Sequence, residues 1–223
     1  MGSIIRELKD LKDDFRLSTW LLIGGAIQAG LVLVLPPRVA IAPAFFILLY
    51  RLLNFAMVRQ GKLPNPYTRD VITGKQSIRI PRSDGGVPEK MGDQQVVVFI
   101  LGARSSHPNG RFAPGYAKLG VAFVSLWKDA EKHREEYGYL GKTPMMMTTE
   151  ESCNNTMVWI SYWKSVDHLY KFANAPIHRE IWAKYNEILK THTHMGLSHE
   201  LYIAPEKHWE AIYSNYRPFG LGT

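Results

Sequence analysis

The chain has 223 residues with 27 basic and 20 acidic side chains, a net charge of +7, which leaves room for one ordinary domain beside a shorter segment. Its single cysteine, Cys153, excludes an intrachain disulfide and gives no sign of an oxidising compartment. The positive excess does not read as a nucleic-acid surface, because residues 1–16 balance at four against four and residues 93–223 hold fourteen bases against thirteen acids. The excess sits in residues 59–92, with seven bases against three acids.

Behind the balanced residues 1–16, residues 17–58 are almost free of charge. Leu17 to Leu35 carries none, and as a helix it would span roughly 28 Å, close to the hydrocarbon core of a bilayer. Pro36-Pro37 breaks it, and a second apolar stretch, Val39 to Val58, is interrupted only by Arg51. A transmembrane helical hairpin is the economical reading. A cleaved signal peptide ending near Ala40-Ile41-Ala42, a buried soluble hairpin and an interfacial or re-entrant hairpin compete with it, the last because Arg51 is costly in lipid. Met1-Gly2-Ser3 lacks the Ser or Thr that myristoylation wants, since Arg6 stands there. Arg6, Lys9, Lys12 and Arg16 precede the hairpin and Arg59, Lys62 and Arg69 follow it, against Arg38 alone at the tip. Both ends are therefore expected on the cytosolic side of a membrane, one of the endoplasmic-reticulum type if the source is fungal.

Residues 59–92, with four prolines and five glycines, read as a basic connector. The domain then starts at residue 93. Gln95 to Leu101 is a β-rich run without alternation, as in a strand covered on both faces. A loop over Gly102–Pro114 leads to a helix with the stripe Tyr116, Leu119, Phe123, Trp127 and Ala130, the charged run Lys128–Glu136 being its solvated face. Gly138 and Gly141 end that helix. A short strand at Met145–Thr149, a polar turn at Glu150–Asn155 and a clear strand at Thr156–Trp163 follow. Asn154-Asn155-Thr156 is formally a glycosylation sequon but faces the wrong compartment in this topology. Ser165 caps a helix reaching Asn174. Pro176 starts another with the stripe Ile177, Ile181, Trp182, Tyr185, Ile188 and Leu189. Leu197–Ile203 is a last strand, and a short C-terminal helix precedes Pro218. The order β-α-β-β-α-β is ferredoxin-like, so the fold class is α+β. The sheet face that its helices leave open commonly packs on a second copy, which predicts a homodimer, a dimeric α+β barrel.

No nucleotide-binding or phosphate loop and no H-E-x-x-H is present, so no cofactor and no metal are expected. Haem is the one cofactor alternative, with His178 or His199 as axial candidates. Cys153 has no obvious base beside it. His192, His194 and His199 spell H-x-H-x4-H, but the first two fall in a helix-to-strand loop and Glu200, the nearest carboxylate, points away from His199, so a solvated loop is the favoured reading. On the last strand Leu197, His199, Leu201 and Ile203 share one face, and Ser198, Glu200 and Tyr202 the other. A histidine or glutamate on a covered sheet face has a shifted pKa, the condition for proton transfer. The competing reading is a histidine satisfied by a carbonyl and a glutamate paired with a base. His178, Trp182, Tyr185 and Leu189 form a helical row able to line a pocket, with Tyr162 and Trp163 as aromatic walls, although aromatic stripes at this spacing also build plain core.

Ser161-Tyr-Trp-Lys-Ser165, Phe172-Ala173, His178-Arg-Glu-Ile-Trp182, Gly196-Leu-Ser-His-Glu200, Tyr213-Ser-Asn215 and Gly220-Leu-Gly222 follow one another in an order that resembles the fumagillin-pathway monooxygenase-like family of fungal and bacterial proteins, over about residues 93–223. Ser198 stands where that family usually has tryptophan before His-Glu, and Tyr216-Arg217 adds a residue before the proline. The resemblance implies a dimeric α+β barrel related to the antibiotic-biosynthesis monooxygenases, in some members behind a membrane segment, and a place in secondary metabolism. Relatives of this barrel also house haem enzymes and non-redox catalysts. Anchor and resemblance together predict a tailoring enzyme acting on a lipophilic terpenoid- or polyketide-like intermediate. Its catalytic candidates are His199, Glu200 and His178, and its substrate-binding candidates are Trp182, Tyr162, Trp163, Tyr185 and Ser198. A cofactor-free cyclase or isomerase, including a pericyclase, and a non-catalytic membrane carrier are the alternatives.

Overall fold

The computed structural model describes residues 15–82, 84–148 and 156–223. The chain divides into two compact units, Met1–Val71 and Ile72–Thr223. The stretch after Val71, expected as connector, therefore belongs to the second unit. The polar turn around Cys153 lies outside the described residues.

In the first unit, α1 (Leu17–Val34) and α2 (Pro37–Arg59) are separated by Leu35-Pro36. Pro36 sits at the N-cap of α2 and Pro37 at its first position, where the missing N–H costs nothing. α1 has no buried residue and α2 only Ala40. Leu22, Phe46 and Leu52 are exposed, as is Arg51. Both helices are long and apolar enough to cross a membrane, and a helix apolar all round has no stable place in water without a cover. Gln28, within α1, donates its amide to the carbonyl of Ala40 at 3.1 Å.

The second unit contains β1 (Ile72–Ser77), β2 (Val96–Ser105), α3 (Tyr116–Lys132), β3 (Tyr139–Lys142), β4 (Met146–Met147), β5 (Thr156–Trp163), α4 (Val166–Ala173), α5 (Pro176–Leu189), β6 (Met195–Ala204) and β7 (Ile212–Tyr216). The main sheet runs β3-β5-β2-β6 with β4 added to β5, and its pairs are antiparallel. This is the split β-α-β arrangement the element order predicted, and the α+β class stands.

Alternation along β5 sorts the sheet into two faces. Met157, Trp159, Ser161 and Trp163 point to the helices, and each is buried. One core cluster gathers Val97, Tyr139, Trp163, Leu169 and Phe172. A second gathers Ala103, Phe123, Met157, Trp159, Tyr185 and Met195. The opposite face, with Val98 and Tyr162, is covered at one end by Leu221 and Ile80. The Ser165 cap is as expected, its Oγ accepting from the His168 N–H at 3.3 Å, and α5 starts at Pro176.

Several expectations are corrected. β2 continues through Gly102 to Ser105 where a loop was expected, because Ala103 and Ser105 are buried and pair with β6. The helix expected to run to Gly138 and Gly141 stops at Lys132, and those glycines frame edge strand β3. There the register slips between Tyr139 and Gly141. Gly141 has φ +139°, and a Cβ on it would come 2.9 Å from the carbonyl oxygen of Gly220, so this glycine marks a close approach, not a stop. The strand expected at Met145–Thr149 is the two-residue β4. Finally, the segment expected as a C-terminal helix is a strand: Ile212–Tyr216 is β7, paired antiparallel with β1, and the Asn215 side chain accepts from the Gly74 N–H at 2.9 Å.

Candidate active site

The expected site residues divide between the two sheet faces. On the helix side, β6 lies beside β2 with His199 opposite Leu101, Leu197 opposite Ala103 and Leu201 opposite Phe99. Leu201 packs on the first cluster with Ile177 and Ile181 of α5, while Leu197 packs on the second with Ile188 and Leu189. His199 thus falls between two points at which α5 and β6 share a cluster. Its ring stacks on Phe99 with centroids 5.4 Å apart and planes at 29°. It is exposed in the single chain, not covered as expected.

His178, at the start of α5, is half-buried and meets the Phe172 ring edge-on at 5.3 Å. Burial holds its imidazole below the ordinary value of 6.5. The fold therefore favours the neutral ring and opposes its protonation near neutrality. Because the unfolded chain binds that proton more readily, the stability tied to His178 is present above pH 6.5 and is lost as the pH falls through the lower folded value. Replacing His178 with Gln should shrink the drop in melting temperature between about pH 7.5 and about pH 5. An identical drop in the variant would show that the ring takes up its proton equally in the folded and unfolded chain.

Farther along α5, Tyr185 is buried, and burial raises its hydroxyl pKa. Trp182 is 51% exposed, although its ring centroid lies 5.5 Å from that of Tyr185. The stripe read from sequence thus splits into a buried Tyr185 and an exposed Trp182. Trp163, expected as a pocket wall, is fully buried core. Its indole N–H donates to Ser161 Oγ at 3.0 Å, and its ring stacks on Phe172.

Glu200, Ser198 and Tyr162 occupy the other face. Glu200 is exposed and accepts a 2.6 Å hydrogen bond from the Tyr202 hydroxyl. The exposed Ser198 side chain crosses Gly102: a Cβ on that glycine would come 2.5 Å from Ser198 Oγ. Tyr162 is half-buried, with its hydroxyl pKa raised by burial, and packs against Gly220. The sheet thus brings His199 and the α5 residues to one side and leaves Glu200, Ser198 and Tyr162 on the other.

Of the H-x-H-x4-H residues, His192 and His194 lie 5.6 Å apart by ring centroids, and it is His107, not His199, that joins them, 4.9 Å from His194. His194 Nε2 donates to the Pro114 carbonyl at 3.1 Å, tying this loop to the start of α3. Among the described residues no group of three or more His, Cys, Asp or Glu side chains is arranged to hold a metal ion.

Lys142 is a further polar side chain on the helix face. It pairs with Ser161 on the helix side, and its ammonium stands 5.4 Å from the centroid of the Trp127 ring. Burial lowers its pKa. Among the described residues the buried Trp127 Nε1 has no hydrogen-bond partner. A lysine inside a Gly-Lys-Thr edge strand offers no sequence signal of this setting.

The family model described as "Monooxygenase af470-like" matches residues 96–221. A curated relative, "Monooxygenase af470" of Aspergillus fumigatus, is 34% identical over 212 residues, 95% of this chain and 76% of its own length. Among solved structures, SnoaB from Streptomyces nogalater, a cofactor-independent oxygenase, shares 16% identity over 48% of this chain and 90% of its own, with a TM-score of 0.32. A putative antibiotic biosynthesis monooxygenase from Caulobacter crescentus CB15 shares 13% over 49% of this chain and 88% of its own, at 0.33. An aldoxime dehydratase crystallised with butyraldoxime shares 13% over 67% of this chain and 39% of its own, at 0.48. Likenesses this slight carry no functional argument.

Proposed function

The chain belongs to the monooxygenase af470-like family, and from that premise we propose that it is a membrane-anchored tailoring enzyme of secondary metabolism that oxygenates a lipophilic, terpenoid- or polyketide-like intermediate. The observation that carries this reading is the pairing of the family's α+β unit with two outward-apolar helices in one chain. A greasy substrate partitions into a bilayer, and an enzyme held there meets it at a raised local concentration. Both chain ends then face the cytosol. A second copy covers the sheet face that carries Glu200 and the exposed Tyr202.

An oxygenation that draws its electrons from the substrate converts a CH2 group to a carbonyl. Two C–H bonds break, one oxygen atom of O2 forms the C=O, and the other leaves as water. The first step is removal of a proton from carbon. In this reading His199 moves that proton, Trp182 and Tyr185 flank the substrate, and His178 stays neutral behind them. The stack on Phe99 fixes the plane of the His199 ring.

The test is conversion of candidate intermediates by the full chain in nanodiscs under 18O2 and under strict anaerobiosis. One 18O atom in the product and no conversion without oxygen are expected. Oxygen-independent conversion at unchanged mass would replace oxygenation with cyclisation or isomerisation, and tight binding without conversion would leave a carrier.

A further inference from the structure

We infer that the groove between α3 and α5 is a binding site for a single-chain apolar carboxylate, whose head group lies at Lys118 and Lys184. The groove has a volume of ≈ 740 Å³, within the range of roughly 300–1,000 Å³ usual for small-molecule sites. Ala117, Val121 and Ala122 of α3 face Ile181, Tyr185 and Ile188 of α5 across it. The alanines leave the space between the helices open where larger side chains would fill it. Val121 is 67% exposed, an apolar side chain left without cover on the rim.

The occupant follows from length and charge. Ile181 to Ile188 spans a rise of roughly 10 Å, which is too short a seat for a partner helix of ordinary length but suits one end of an alkyl or polyketide-like chain. Lys118 and Lys184 both line the groove, with Glu187 the carboxylate beside them. Lys184 is paired with Glu180 and Glu187 with Lys190, all well exposed. Exposed pairs of this kind hold weakly, so a ligand carboxylate whose tail is already seated can take Lys184 from Glu180. Tyr185, which flanks the substrate in the proposed function, also lines this groove, and through that residue the site deepens the reading by naming an acid as the substrate class. It rests on that reading only for turnover, not for binding.

The test uses the full chain in phosphatidylcholine nanodiscs, a diazirine-bearing palmitic acid and the methyl ester of the same probe. Irradiation with the acid should label peptides holding residues 117–122 and 181–188. Ala122→Trp, which fills the groove, should cut that labelling about tenfold while leaving the labelling of residues 17–59 unchanged. Because a tryptophan there could disturb the helix pair, the double charge reversal Lys118→Glu and Lys184→Glu on the exposed rim is the second arm. It should weaken labelling by the acid about tenfold and spare the ester. Labelling confined to residues 17–59, or equal labelling by acid and ester in every variant, would overturn the site. Groove labelling without any turnover would sink the enzyme reading and leave the binding site standing.

Discussion

His199→Ala is expected to lower turnover about a hundredfold, the low end for a positioned proton-transfer group, with the fold intact. The ring is exposed and its stack on Phe99 is the contact at stake, so the stability loss should stay within about 1 kcal/mol. His199→Asn should recover some binding but little rate, because an amide hydrogen-bonds yet cannot carry a proton near neutrality. Glu200→Gln should act more mildly. It lies across the sheet from His199 and is bonded to Tyr202, and this geometry gives it no direct path to a substrate on the helix side. Melting temperature and rate measured on the same preparations decide the matter. A stable, fully active His199→Ala variant would remove the residue from the site, and a variant that loses stability and rate together would make it a structural residue.

The distance over which each determinant acts explains what the sequence revealed. Thr156–Trp163, the Ser165 cap and the Pro176 start were readable because alternation, a side chain folding back three residues and a ring-fixed φ are local properties. β7 was not readable: the Gly74 N–H that bonds Asn215 lies 141 residues away, and this bond has no trace in either segment. Gly141 misled for the same reason, since its constraint is the C-terminal turn at Gly220. At the site, the face assignment of His199 against Glu200 followed from strand period alone. Depth did not: Trp182 and Tyr185 belong to one stripe, yet only Tyr185 joins the cluster that α3 and β5 build. Lys142 escaped notice because its setting is made by Trp127, on a different element.

Trp163 separates core from pocket most sharply, and Trp163→Ala should destabilise the fold by about 3–5 kcal/mol, far more than any change at His199 or Glu200. The side chain is wholly buried, lies between the rings of Tyr139 and Phe172 at 5.0 Å from each, and donates its N–H to Ser161 Oγ. Truncation would open a cavity in the first cluster and take from Ser161 the donor it accepts, while Ser161 still donates to the Phe99 carbonyl at 3.2 Å. Trp163→Phe should fall between, because it keeps ring packing and loses only the indole N–H and some volume. Chemical denaturation of the full chain in nanodiscs, followed by near-ultraviolet circular dichroism, measures the order. The activity of the fraction that remains folded should match the parent, since no face of this indole reaches a space where substrate could lie. If Trp163→Ala kept the parent's stability and lost substrate binding, the residue would belong to a pocket wall and the first cluster would have to be redrawn around it.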